Sequence, residues 1–255
     1  MALDVCGQVL QYLNLAAAAL LLGRLMTSRL TRSYPFLTAY FAADVMTSVA
    51  GIYFSHSRAV FLYVYVVDRV LRLGLGSLLI LELYRLSLEG RPALAKFGQR
   101  AAGWCMALLV SVAAAGLYLG PAVPAGRRPL VHYLLTFERT MDSVLAAALI
   151  VLALFLAWFP VRIRRNSAIN IGAFTAYFLA HWAATLAANV WYASTREFNV
   201  ALMGFSLACF FVWIAMLRPA GEARSVVTGS LWDETRMNRL TGQLDALNTR
   251  LMRLP

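Results

Sequence analysis

Apolar residues run along this chain in blocks of about 20, the length a helix needs to cross the hydrocarbon core of a bilayer, and short polar stretches separate them. The blocks fall at about 8–26, 36–54, 60–84, 102–120, 139–159, 168–190 and 198–217. This pattern predicts an all-α polytopic membrane protein: a bundle of seven transmembrane helices over residues 1–218, a linker at 219–230 and a further helix at 231–255. Pro35 opens the second block, Pro160 closes the fifth, and Pro121, Pro124 and Pro129 lie before the fifth. Proline thus sits at helix ends, and the spans are expected to be unbroken.

The third block, VFLYVYVVDRVLRLGLGSLLILELYR, carries Asp68, Arg69 and Arg72 far from either end. Charge in hydrocarbon costs several kcal/mol unless it faces protein or trapped water, so this helix is expected inside the bundle with several neighbours. At about 1.5 Å per residue, Asp44 falls near mid-membrane and His181 in the outer half, with Glu138, Arg139 and Asp142 at the outer end of the fifth block. Tyr40, Tyr63, Tyr65, Tyr177, Trp182 and Asn189 can share that region. Asp44, Asp68, Arg69, Arg72, Glu138, Arg139, Asp142 and His181 therefore form the candidate ligand-binding set. Asp68 and Arg72 are four apart and can pair on one helix face. Glu138 and Asp142 have the same spacing and concentrate negative charge that calls for a cation or a proton, and Arg69 or Arg139 can supply that cation across the bundle. The alternative is that these charges only fix the order of the helices. Glu82, three before Arg85, reads as a structural pair at the membrane surface.

The tail closes with SLWDETRMNRLTGQLDALNTRLMRLP. Ser230 and Asp233 resemble a capping box. Met237, Leu240, Leu244, Leu247, Leu251 and Leu254 follow a 3,4 spacing, the a/d seam of a short coiled coil interrupted by Gly242. A homodimer or a partner helix through 231–255 is expected, against an amphipathic helix on the inner leaflet, which Arg236, Arg239, Arg250 and Arg253 would favour.

Composition and charge sharpen this picture. At 61% hydrophobic, 14% charged and mean hydropathy +0.67, the chain is too apolar for a soluble domain. The net charge of +11 resides largely in loops. Arg24, Arg29 and Arg32 follow the first block; Arg85, Arg91, Lys96 and Arg100 the third; Arg162, Arg164 and Arg165 the fifth. The other loops hold only Arg58, Arg127, Arg128 and Arg196. Basic loops stay in the cytoplasm, which predicts an outside N-terminus, a cytoplasmic C-terminus, the lipid bilayer as partner and no nucleic acid. The first block lacks a basic n-region and has its arginines after the apolar part, so it reads as a retained span rather than a cleaved signal.

Residues 37–50, LTAYFAADVMTSVA, align without gaps on residues 174–187, FTAYFLAHWAATLA, with six of fourteen positions identical. Coincidence in alanine-rich spans is one explanation. The other is a 3 + 1 + 3 parallel repeat with the fourth span as linker, which sets Asp44 opposite His181.

Familiar chemistry is sparse. Cys6, Cys105 and Cys209 lack metal-ligand spacing and read as small apolar residues. The one lysine, Lys96, lies outside every span, which excludes a retinal Schiff base. His56 and His132 read as solvated loop residues and His181 as a hydrogen-bonded core residue. Gly204, Gly74 and Gly76 read as points of close helix approach. No cofactor, metal or enzymatic activity is expected.

In its seven spans, outside N-terminus and 3 + 1 + 3 echo the chain resembles the SWEET sugar transporters, without their membrane prolines or Pro-Gln motif. Its topology also resembles seven-helix receptors. It is similar to uncharacterised bacterial seven-transmembrane proteins with a Glu-Arg pair near the start of the fifth span, here Glu138-Arg139, which implies a bacterial inner-membrane location and no particular activity. The expected function is a receptor-like sensor that binds a small polar ligand or ion in an outward-facing pocket and signals through the C-terminal helix. Alternatives are a small-solute or proton-coupled transporter and a structural membrane protein without ligand.

Overall fold

The computed structural model describes residues 2–54, 56–119, 129–159, 161–190, 195–228 and 234–252, and they are overwhelmingly helical. Seven long helices follow one another: α1 (Ala2–Thr27), α2 (Pro35–Tyr53), α3 (Arg58–Ser87), α4 (Pro92–Leu119), α5 (Pro129–Trp158), α6 (Arg165–Val190) and α7 (Thr195–Met216). A single 3-10 turn, Leu30–Arg32, links α1 to α2. Beyond α7 come the short α8 (Ala220–Ala223) and α9 (Glu234–Met252), and strands β1 (Arg162–Arg164) and β2 (Ser225–Val227) pair antiparallel with Ile163 opposite Val226.

Among the described residues four helical stretches are long and apolar enough to cross a membrane: Val5–Thr27, Pro35–Tyr53, Thr140–Trp158 and Arg196–Met216. The blocks expected at 60–84, 102–120 and 168–190 are helical as well, in α3, α4 and α6, but do not qualify among the described residues. α3 and α6 carry polar residues of the bundle interior, which lowers their hydropathy. The side chains of α4 from 112 onward lie outside the described residues.

Each long helix packs on the next, and α7 closes on α1. α3 also reaches α5 and α6, as its charges require. Gly76 allows this approach, because a Cβ there would stand 3.3 Å from Leu145 and 3.5 Å from Phe178. Gly74 and Gly204 have nothing comparable beside them, so the close approach expected at those glycines is not found. Leu21, Leu37, Leu79, Leu83, Leu145 and Leu149 are fully buried, while Val9, Leu20, Met46, Val70, Leu154 and Phe211 lie on the outside. Polar Asp44, Glu82, Asp142, Asn166 and Asn170 are buried. Apolar residues on the surface and polar ones within suit hydrocarbon rather than water as solvent.

α2, α4 and α6 start at the end of the bundle where α9 lies, here called the tail end. α2 and α4 both open on proline, which supplies no N–H, and the next two backbone N–H groups need acceptors. In α2 the residue before Pro35 is Tyr34, which makes no side-chain cap. Glu82 of α3 takes that role, its carboxylate accepting from the N–H groups of Phe36 and Leu37, both at 3.4 Å. This corrects the expectation of a surface pair with Arg85: Glu82 is buried and Arg85 is exposed, because the uncapped start of α2 is the stronger demand. In α4 the N–H groups of Ala93 and Leu94 donate to Asn248 Oδ1 of α9, at 3.1 and 3.2 Å.

α9 thus docks on α4, with Leu244 and Asn248 buried and Arg91 Nε 2.8 Å from Asp245 Oδ1. Within the described residues the apolar stripe expected to form a coiled coil is turned partly onto its own chain. Leu247 is exposed, while Leu251 packs against the core. Ser230, Asp233 and Leu254 lie outside the described residues.

The stretch expected as linker is also held. Arg164 bridges Glu222 at 3.0 Å and Glu89 at 2.7 Å, and the hydrogen bond to Glu222 raises the Arg164 pKa. Asn166 donates to Glu222 Oε1 at 2.6 Å and to the Arg218 carbonyl at 2.8 Å. Gly221 lies so close to Asn166 that any side chain at 221 would overlap it.

Candidate functional site

Helical spacing places Asp68 and Arg72 one turn apart on α3, and Asp44 and Thr47 on adjoining turns of α2. The two helices meet through these four residues. Arg72 Nε donates to Asp68 Oδ1 at 2.7 Å, and Arg72 Nη2 forms an ion pair with Asp44 Oδ1. Thr47 donates its hydroxyl to Asp68 Oδ1 at 2.6 Å. One guanidinium is therefore shared by two carboxylates, with only a quarter of its side chain exposed. A planar fork of donors is suited to such sharing, which a lysine could not reproduce.

The facing wall comes from α5 and α6, where His181 Nδ1 lies 2.8 Å from Asp142 Oδ2. Between the walls is a cavity of about 20 Å3, lined by Arg69 and Arg72 together with Tyr40, Tyr177, Asp142 and His181. A single water needs about 10–15 Å3 on this measure, and pockets for organic ligands run to roughly 300–1,000 Å3. The cavity suits an ion or a water-sized molecule. Arg69 stacks over the Tyr65 ring, its guanidinium carbon 4.9 Å from the centroid.

On its tail-end side the cavity rests on aromatic rings. Tyr40 meets Phe174 edge-on at 5.8 Å, Phe41 meets Trp213 at 5.2 Å, and Phe174 lies 4.6 Å from Trp213. Below them the Tyr34 hydroxyl shares a hydrogen bond with Ser167 at 3.1 Å, and burial pushes the Tyr34 pKa up.

Of the residues singled out in the sequence, Arg69, Arg72, Asp142 and His181 line this cavity, and Asp44 and Asp68 bind Arg72 behind it. The side chains of Glu138, Arg139, His132 and Asn189 lie outside the described residues. Tyr40 and Tyr177 line the cavity. Tyr63 is 75% exposed on the bundle surface and does not join it, because its position on α3 faces away from α2 and α5. Trp182 is also exposed, and His56 sits exposed between α2 and α3.

Tyr40 and Tyr177, which coincide when segments 37–50 and 174–187 are aligned, both line the cavity. Thr38 and Thr175 each donate to the carbonyl four residues earlier, Tyr34 and Ile171. Thr47 is a participant that the sequence did not point to, and Glu82, the cap of α2, reads in the sequence as a pair with Arg85. A Pro35 start without a Ser, Thr, Asp or Asn before it is the signal that an acceptor must come from another helix.

No metal-binding group of three or more His, Cys, Asp or Glu side chains occurs among the described residues. No protein-family model, curated protein or solved structure matches this chain, so its reading rests on the geometry above.

Proposed function

We propose that this chain is a receptor-like sensor, not an enzyme, that spans a membrane seven times and registers a proton at the Arg72 cavity. The observation that carries the proposal is the pairing of opposite walls: Arg72 held by Asp44 and Asp68 on one side, His181 with Asp142 on the other, around a space of about 20 Å3. That volume favours an ion over a larger polar ligand. Histidine is the side chain whose charge ordinarily changes within the physiological range. His181 faces Asp142 from α5, Arg69 and Arg72 from α3, Tyr40 from α2 and Tyr177 on its own helix. A charge gained there alters the balance between the Asp44–Arg72–Asp68 network and Asp142.

α3 offers the route outward from the cavity. The same helix carries Arg72 in the site and Glu82 on the start of α2, and the loop that follows it holds Asp245 of α9 through Arg91. With basic loops inside, the tail end is cytoplasmic and α9 is the output element. The polar inward face of α6 favours a second reading, transport, which is developed below.

The test uses a spin label at Leu247→Cys, on the exposed face of α9, with the native cysteines replaced and the protein in lipid nanodiscs. Lowering the pH from about 8 to about 5 is expected to change label mobility in the parent protein and to leave it unchanged in His181→Gln. Identical spectra at both pH values in the parent would contradict the proposal.

A further inference from the structure

The inward face of α6 continues past the cavity toward the tail end. From His181 it runs through Tyr177, Phe174 and Asn170 to Ser167 and Asn166, at the three- and four-residue spacing of one helix face. Asn166, Ser167 and Asn170 are fully buried. Asn166 is satisfied by Glu222 and the Arg218 carbonyl, and Ser167 by Tyr34.

Asn170 differs from both. Among the described residues neither its amide nitrogen nor its amide oxygen has a hydrogen-bond partner, and the same holds for the indole Nε1 of Trp213, which is 1% exposed on α7. The Trp213 ring lies 4.6 Å from that of Phe174, one helical turn from Asn170. Buried polar atoms left unpaired are costly, and here three of them belong to two residues that flank Phe174, Asn170 one turn before it on α6 and Trp213 against its ring. Two are donors and one is an acceptor. A neutral molecule that accepts two hydrogen bonds and donates one would satisfy all three, which is within the capacity of a single water.

The aromatic layer stands between these groups and the cavity. Phe174 lies 6.1 Å from Phe41, and it touches two cavity-lining residues, Tyr40 at 5.8 Å and Phe178 at 6.0 Å. A shift in the cavity walls therefore bears directly on these rings. The guanidinium groups of Arg69 and Arg72 at the cavity, and the indole N–H beyond it, oppose a bare cation.

We infer that Asn170 and Trp213 form a second binding site, for a neutral water-sized hydrogen-bonding molecule, and that Phe41, Phe174 and Trp213 gate its passage to and from the Arg72 cavity. The bundle then has a further activity, facilitated permeation of small neutral polar molecules. The inference uses the cavity as an access point and does not depend on its sensing a proton.

Water is the probe. Proteoliposomes are shrunk by an osmotic step and followed by stopped-flow light scattering, while an entrapped pH dye reports proton leak. Phe174→Ala is expected to shrink severalfold faster than the parent and than protein-free vesicles, with proton leak unchanged. Adding Asn170→Leu to Phe174→Ala is expected to return the rate to that of the parent. A Phe174→Ala rate no faster than the parent, a fast rate indifferent to Asn170→Leu, or a matching proton leak would each overturn the inference. Should Phe174→Ala not yield monodisperse protein, Phe174→Leu keeps the layer apolar and is judged by the same three criteria.

An independent readout is exchange of the Trp213 indole N–H into heavy water, followed by 15N NMR of the full chain. Its signal, one of six tryptophan indoles, is identified with Trp213→Phe. Exchange despite burial is expected, and protection equal to that of the most protected core amides would count against the site. Loss of permeation with the α9 response to pH intact would sink this inference alone.

Discussion

Charged residues meet in two regions of this protein, and the same kind of bond does different work in each. Around Arg72 the partners are mostly shielded by helices, and removing one leaves the others unbalanced where water reaches them poorly. At the tail end Arg91–Asp245 and Arg164–Glu89 have carboxylates more than half exposed, 62% and 57%. Water and salt compete there, so such pairs contribute little on their own. The interior network defines the arrangement of α2, α3, α5 and α6. The tail-end pairs hold elements that can be released at low cost, as the proposed output role of α9 would require.

Substitutions at three positions test that contrast. Arg72→Leu leaves Asp44 and Asp68 without their shared cation, and is expected to cost about 3–5 kcal/mol, seen as a large fall in thermal midpoint in detergent. Survival of the midpoint would mean that the interior network does not organise the bundle. Glu82→Leu frees the N–H groups of Phe36 and Leu37 and is expected to cost about 1–3 kcal/mol. Glu82→Gln keeps an acceptor and should retain most of the stability, whereas equal losses in the two variants would show that the charge rather than the cap matters. Asp245→Ala removes one exposed partner of Arg91 and should change the midpoint by about 0–1 kcal/mol, an effect erased by added salt. Its visible consequence is faster proteolysis within α9, and unchanged proteolysis would deny Asp245 a part in docking.

The sequence revealed the central role of α3 because charge in an apolar block has to be met by other helices, and α3 does touch α2, α4, α5 and α6. The Asp68–Arg72 pair was legible from spacing alone. The partnership of Arg72 with Asp44, and of His181 with Asp142, was not, since each joins two helices whose rotation the sequence leaves free. Tyr63 shows the same limit: depth along α3 was readable, but the direction it faces was not. For α9 the apolar stripe was evident, while its partner was not, because a narrow seam fits a second chain and the start of α4 equally well. Asn248, beside that seam, is the residue that separates the two. Its amide oxygen is matched to the open N–H groups that follow Pro92.

Three histidines make the central claim open to direct measurement. With 15N-histidine in lipid nanodiscs, the ring signals of His56, His132 and His181 can be followed against pH, and His181→Gln identifies the one in the cavity. The account predicts that the His181 signal responds to pH, and that Arg72→Lys, which keeps the charge but not the fork, alters that response. A His181 signal fixed throughout, or one indifferent to Arg72, would contradict a proton-sensing cavity and leave these charges the task of holding the bundle together.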